Sequence, residues 1–136
     1  MKTVICDIDG TIALRGQRGP FEYDRVLEDE PNVPVLELLN LLATNGIFIV
    51  FVSGREEIAR QDTEKFIETY FDHDFKLHMR PSGDYTPDDQ LKLRIFQEGI
   101  AGKCEVLFVL DDRNRTVQMW RERANLTVFQ VAEGDF

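Results

Sequence analysis

The chain has 136 residues, room for one domain with a proper core and little space for a second. A hydrophobic share of 43% with ten Phe fits a soluble globule, and the longest apolar stretch, Gly46 to Val52, is too short to span a bilayer. The net charge of −9 argues against a general nucleic-acid binder, which carries a basic face. Two cysteines make no disulfide framework, and because Lys2 and Thr3 lead straight into structure no signal peptide is expected. A cytoplasmic protein with no membrane association is therefore expected. Its charges are uneven. Acids crowd Glu22–Glu30 and Glu56–Asp74, whereas Arg15, Arg18, Arg55, Arg80 and Lys92 fall beside the motifs below. Local cations in an acidic chain suggest an anionic ligand held at one spot, since distant acids are screened over about 8 Å.

The first apolar run, Thr3–Cys6, reads as a buried strand and stops at Asp7-Ile8-Asp9-Gly10-Thr11. Carboxylates are costly to bury unpaired, so these acids belong where the strand emerges from the sheet. Residues Ile12 to Asn32, with Gly16, Gly19 and Pro20, read as a loop or flap rather than a core element. Pro34 opens a helix whose Val35, Leu38, Leu39 and Leu42 repeat at helical spacing, and Gly46 closes it. A second strand, Ile47–Val52, runs into Ser53-Gly54-Arg55. The next helix carries Ala59, Phe66, Ile67, Tyr70 and Phe71 on mostly one face. Strand Phe75–Met79 ends at Arg80, and a helix follows with Thr86 as cap, Pro87 at its first position and an end near Gly99. Strand Val106–Leu110 ends in Asp111-Asp112-Arg113, a helix covers about Asn114 to Arg123 with Val117 and Trp120 inward, and Leu126–Val131 is the last strand. Strands alternating with helices predict an α/β three-layer sandwich on a mainly parallel sheet.

In such a sheet the polar strand ends converge on one edge, where α/β proteins build sites. The residues collected there suit phosphoryl transfer. Asp7 is the candidate nucleophile and Asp9 the candidate acid and base, a role worth about 10²–10⁴-fold. Ser53 and the amides after it can hold a phosphate oxygen, and Lys92 can balance charge on a phosphoaspartate. Mg²⁺ takes oxygen ligands and one or two carboxylates. Asp7, the backbone carbonyl of Asp9, and Asp111 or Asp112 are its candidate ligands. His73 and His78 have no metal-ligand spacing and read as structural. Gly102-Lys103 is no phosphate loop, because Cys104 stands where Ser or Thr is needed.

These segments resemble the four motifs of the haloacid dehalogenase (HAD) superfamily of phosphatases. Asp7-Ile8-Asp9-Gly10-Thr11 matches the first, Ser53 the second, Lys92 the third and Asp111-Asp112 the fourth. Many members insert a cap domain, but 43 residues between Asp9 and Ser53 and 36 between Arg55 and Lys92 leave no space for one. An uncapped site suits a macromolecular phosphate ester. The whole chain further resembles the 3′-phosphatase domain of phage-type polynucleotide kinase-phosphatases, through Arg18-Gly19-Pro20-Phe21, Val52 to Arg55, Asp88 to Lys92, Asp111 to Arg113, Met119-Trp120 and Gln130 to Phe136. That resemblance implies removal of a 3′-terminal phosphate from DNA or RNA ends, with a kinase or ligase as possible partner. It also implies substrate contacts from Thr11 and, at the scissile or neighbouring phosphates, from Arg18, Arg55 and Arg80, with Asp88 orienting a basic group. Recognition of the end alone implies few phosphate contacts and a shallow salt dependence. Two other readings are a phosphatase of mononucleotides or other small esters, and a non-catalytic binding module on the same fold.

Overall fold

The computed structural model describes residues 1–16 and 18–136. The strands in chain order are β1 (Lys2–Cys6), β2 (Ala13–Leu14), β3 (Glu30–Pro31), β4 (Phe48–Glu56), β5 (Phe75–Arg80), β6 (Glu105–Asp111) and β7 (Val128–Gln130). The helices are α1 (Val33–Thr44), α2 (Arg60–Tyr70), α3 (Asp88–Gly99) and α4 (Asn114–Glu122), with 3₁₀ turns at Tyr23–Glu28 and Glu57–Ala59. Five strands form one sheet in the order β5-β4-β1-β6-β7. Every neighbouring pair in it is parallel.

The sheet is buried on both faces, and the alternation along each strand shows how. Val4, Cys6, Ile49 and Phe51 point into one core with Val35, Leu36 and Leu39 of α1 and Phe66 and Ile67 of α2. Ile5, Val50, Val52 and Val109 point into the other with Leu93 of α3 and Val117, Met119 and Trp120 of α4. This is the expected three-layer sandwich. No cap stands over the carboxyl edge among the described residues.

Three local expectations shift. The segment from Ile12 to Asn32 is partly core: Ile12, Ala13 and Val26 are fully buried, and β2 pairs antiparallel with β3. In α1 the buried stripe is Val35, Leu36 and Leu39, while Leu38 is turned outward. The third helix begins one residue later than expected, at Asp88, because the Thr86 hydroxyl donates to Asp84 instead of capping it. His73 contacts Thr44, and His78 lies on β5 with its Nε2 buried and without a partner. Neither lines the pocket described below. Among the described residues, no helix is long and apolar enough to cross a membrane.

Candidate active site

β1 lies between β4 and β6, so its end meets the ends of both. The Asp7 amide donates to the Leu110 carbonyl (2.9 Å), which sets Asp7 beside Asp111 and Asp112. Gly10 turns the chain at φ +82°, and a side chain there would overlap the Asp112 carboxylate. The carboxylates of Asp7, Asp111 and Asp112 each offer an oxygen within 4.8 Å of the others, and all three residues are buried. Lys92, from the first turns of α3, reaches Asp7 Oδ1 at 2.8 Å and Asp111 Oδ2 at 3.3 Å. Thr11 donates to Asp7 Oδ2 (3.0 Å) and lies within 3.5 Å of Asp112 Oδ1.

One ammonium does not neutralise three buried acids. Burial pushes the Asp7 carboxyl well above its ordinary range, and Asp111 acts in the same direction against Lys92. Burial also raises Asp112. Burial works against the charge on Lys92 as well, but Asp111, Asp7 and Asp88 outweigh it and hold the ammonium well above its usual range. Three converging hard-oxygen donors with excess negative charge fit a divalent cation.

Asp9 stands apart from this cluster, its side chain 47% exposed to the pocket. Arg55 donates to it from Nε (3.0 Å) and from a terminal nitrogen (2.7 Å), and Arg18 donates at 3.3 Å. Burial would raise the Asp9 carboxyl, but the Arg55 hydrogen bonds and the two positive charges hold it below its usual range. Both guanidinium groups also converge on Asp29, whose side chain is fully buried. Arg18 donates to both Asp29 oxygens (2.8 and 3.0 Å) and Arg55 to one (2.8 Å), while Thr63 accepts from Arg55 (3.0 Å).

The structure brings the candidate catalytic, metal-binding and substrate-binding residues to one edge, though not all with free donors. The side chains of Arg18 and Arg55 are only 1% exposed, and their nitrogens bind Asp9 and Asp29. Arg80 is bound to the carbonyls of Gly54, Asp84 and Thr86. Asp88 lies 3.6 Å from Arg80 and 3.7 Å from Lys92. Ser53 is buried, and its Oγ accepts the Arg55 amide (3.0 Å), leaving the hydroxyl hydrogen to donate. Sequence reasoning missed Asp29, hidden in an acidic run that reads as solvated. It placed Trp120 inward but missed that the indole donates to Asp111 Oδ2 (3.1 Å). The tail is tied beside the site: the Asn114 amide donates to the Gly134 carbonyl (2.8 Å), and Arg113 Nε donates to the Phe136 carbonyl (2.8 Å).

Such a site at the carboxyl edge of such a sheet defines a phosphatase domain of the haloacid dehalogenase type. The class C acid phosphatase of Bacillus anthracis shares the fold, with a TM-score of 0.64 at 14% identity over 85% of this chain and 53% of that one. More narrowly, the chain belongs to the family of polynucleotide kinase PNKP phosphatase domains, whose sequence model matches residues 1–136. A protein of Autographa californica nuclear polyhedrosis virus that carries the name bifunctional polynucleotide kinase/RNA ligase is 44% identical over 133 residues, 96% of this chain and 19% of that protein. A chain of the Pnkp1/Rnl/Hen1 complex superposes with a TM-score of 0.94 at 43% identity, over 99% of this chain and 47% of that one. A second structure, of the Pnkp1/Rnl/Hen1 RNA repair complex, gives the same TM-score and identity over 43% of its chain. The chain thus spans about a fifth of the curated relative and under half of the matching chains in the two Pnkp1/Rnl/Hen1 structures.

Proposed function

We propose that this chain is a Mg²⁺-dependent polynucleotide 3′-phosphatase that works through an aspartyl-phosphate on Asp7. The observation that carries the reading is the division of labour between two aspartates. Asp7 lies among buried acids with Lys92 at 2.8 Å, and Asp9 lies beside it on the open side of the pocket. Asp7 Oδ attacks phosphorus, the bond to the 3′ oxygen breaks, and Asp9 gives that oxygen its proton. Water then attacks the phosphoaspartate, Asp9 takes the water proton, and inorganic phosphate leaves with Asp7 restored. The first half-reaction needs Asp9 protonated, and an arriving phosphate dianion favours this by raising a nearby carboxyl's proton affinity. The Arg18 and Arg55 clamp holds Asp9 in place for both transfers, and the Ser53 hydroxyl is free to donate to a phosphate oxygen. Asp7, Asp111, Asp112 and the Asp9 carbonyl would hold Mg²⁺, whose charge lets the acids share a site with an anionic ester.

A nucleic-acid end is favoured over a small ester because among the described residues no cap domain encloses the pocket, which has a volume of about 460 Å³. Relatives named as a kinase/RNA ligase and as members of an RNA repair complex support the same choice, and they support a kinase or ligase as working partner. The test is phosphate release with Mg²⁺ from matched 3′- and 5′-phosphorylated oligonucleotides and from a 3′-mononucleotide. Release from the 3′-phosphorylated oligomer alone, lost in Asp7→Asn, is expected. Preference for the mononucleotide would instead make this a small-ester phosphatase.

A further inference from the structure

Resting on that reading, the pocket's rim identifies what lies beside the phosphate. Its floor is charged, with Asp7, Asp9 and Lys92, but part of its wall is aromatic. Among the described residues the three most exposed aromatic side chains are Tyr85 (89%), Phe21 (81%) and Phe136 (66%), and all three line this one pocket. Exposed aromatics are costly in water, and their gathering at one site points to a planar ligand.

Tyr85 is the most exposed of them, and it sits on a fastened loop. One terminal nitrogen of Arg80 donates to the carbonyls of both flanking residues, Asp84 (2.9 Å) and Thr86 (2.6 Å). Arg80 Nε ties the same loop to the Gly54 carbonyl in β4 (2.9 Å). The Asp84 carboxylate accepts from the Thr86 amide (3.0 Å) and hydroxyl (2.6 Å) and from Arg94. None of these bonds involves the phenol ring. The loop therefore holds a bare aromatic face at the pocket mouth, and such faces bind unpaired bases with little regard to sequence.

We propose that Tyr85 is the stacking platform for a nucleobase at the substrate's 3′ end and that Arg80 is a positioning residue that holds the platform in place. The test is binding, read by fluorescence anisotropy in an Asp7→Asn background that does not consume the ligand. One probe is a 3′-phosphorylated single-stranded oligonucleotide. The other is the same strand with its last two nucleosides abasic. The parent protein should bind the first about tenfold more tightly, as stacking of about 1–3 kcal/mol per base requires. Tyr85→Ala should erase that preference, and Tyr85→Trp should keep it. A parent without the preference, or a Tyr85→Ala variant that retains it, overturns the proposal. Phosphate release by the chain with Asp7 intact is read separately. Release without base preference would remove the platform and leave the phosphatase. Base preference without release would do the reverse.

Discussion

A carboxylate gripped by two arginines cannot swing, and Asp9 is gripped by Arg55 and Arg18. Away from the site, burial acts on a ring whose Nε2 has no such partner, that of His78. Burial lowers its pKa below the ordinary 6.5, and Lys76, Arg60 and Lys103 push in the same direction. The folded chain therefore binds this proton less readily than the unfolded chain. Below 6.5 the unfolded form protonates first, so stability is complete above that value and falls as the pH drops towards the lowered native pKa. His78→Phe should flatten this part of the profile relative to the parent. Urea midpoints followed from neutral into mildly acidic pH provide the check, and parallel profiles for the two proteins would rule out His78 as the cause.

At the scale of elements, the segment containing β2 and β3 is fastened to the sheet by Asp29, which takes three hydrogen bonds from Arg18 and Arg55. Asp29→Asn keeps the volume but leaves two buried guanidinium groups short of a charge. A loss of about 3–5 kcal/mol of unfolding free energy is expected, measured by denaturant titration. A loss within the range of ordinary surface substitutions would mean that the segment is held by its apolar contacts alone. The strands and helices of the main sheet were legible because their apolar residues recur with periods of two or near four, and the motif residues because they end those runs. The segment around Asp29 was not. Its strands are two residues long, too short for any period, and its buried acid sits between Glu28 and Glu30, both exposed. The outward turn of Leu38 was equally hidden, since Leu36 and Leu38 are both apolar and only packing selects between them.

For the molecule as a whole, the excess of negative charge in the core of the site sets the response to cations. Lys92 lies against Asp7 and Asp111, but its single charge compensates the three acids of the cluster only in part. A cation that binds only the folded form should stabilise it by about 2.7 kcal/mol at a hundred times its dissociation constant. Thermal unfolding should shift upward with Mg²⁺, return with a chelator, and shift much less in Asp111→Asn. A midpoint indifferent to Mg²⁺ in the parent would exclude these carboxylates as a cation site.

The strand order has one more consequence, for the growing chain. β1 precedes the other strands of its sheet in sequence and lies at the sheet's centre, where Thr3 pairs with Phe48 on one side and Val106 on the other. During synthesis the innermost strand must wait for more than half of the chain before its second neighbour emerges. Until then it presents an open apolar edge of the kind that invites mispairing. Asp7 and Asp9, at the end of this strand, are thus translated before both of its neighbours and locked in place only when the second of them arrives.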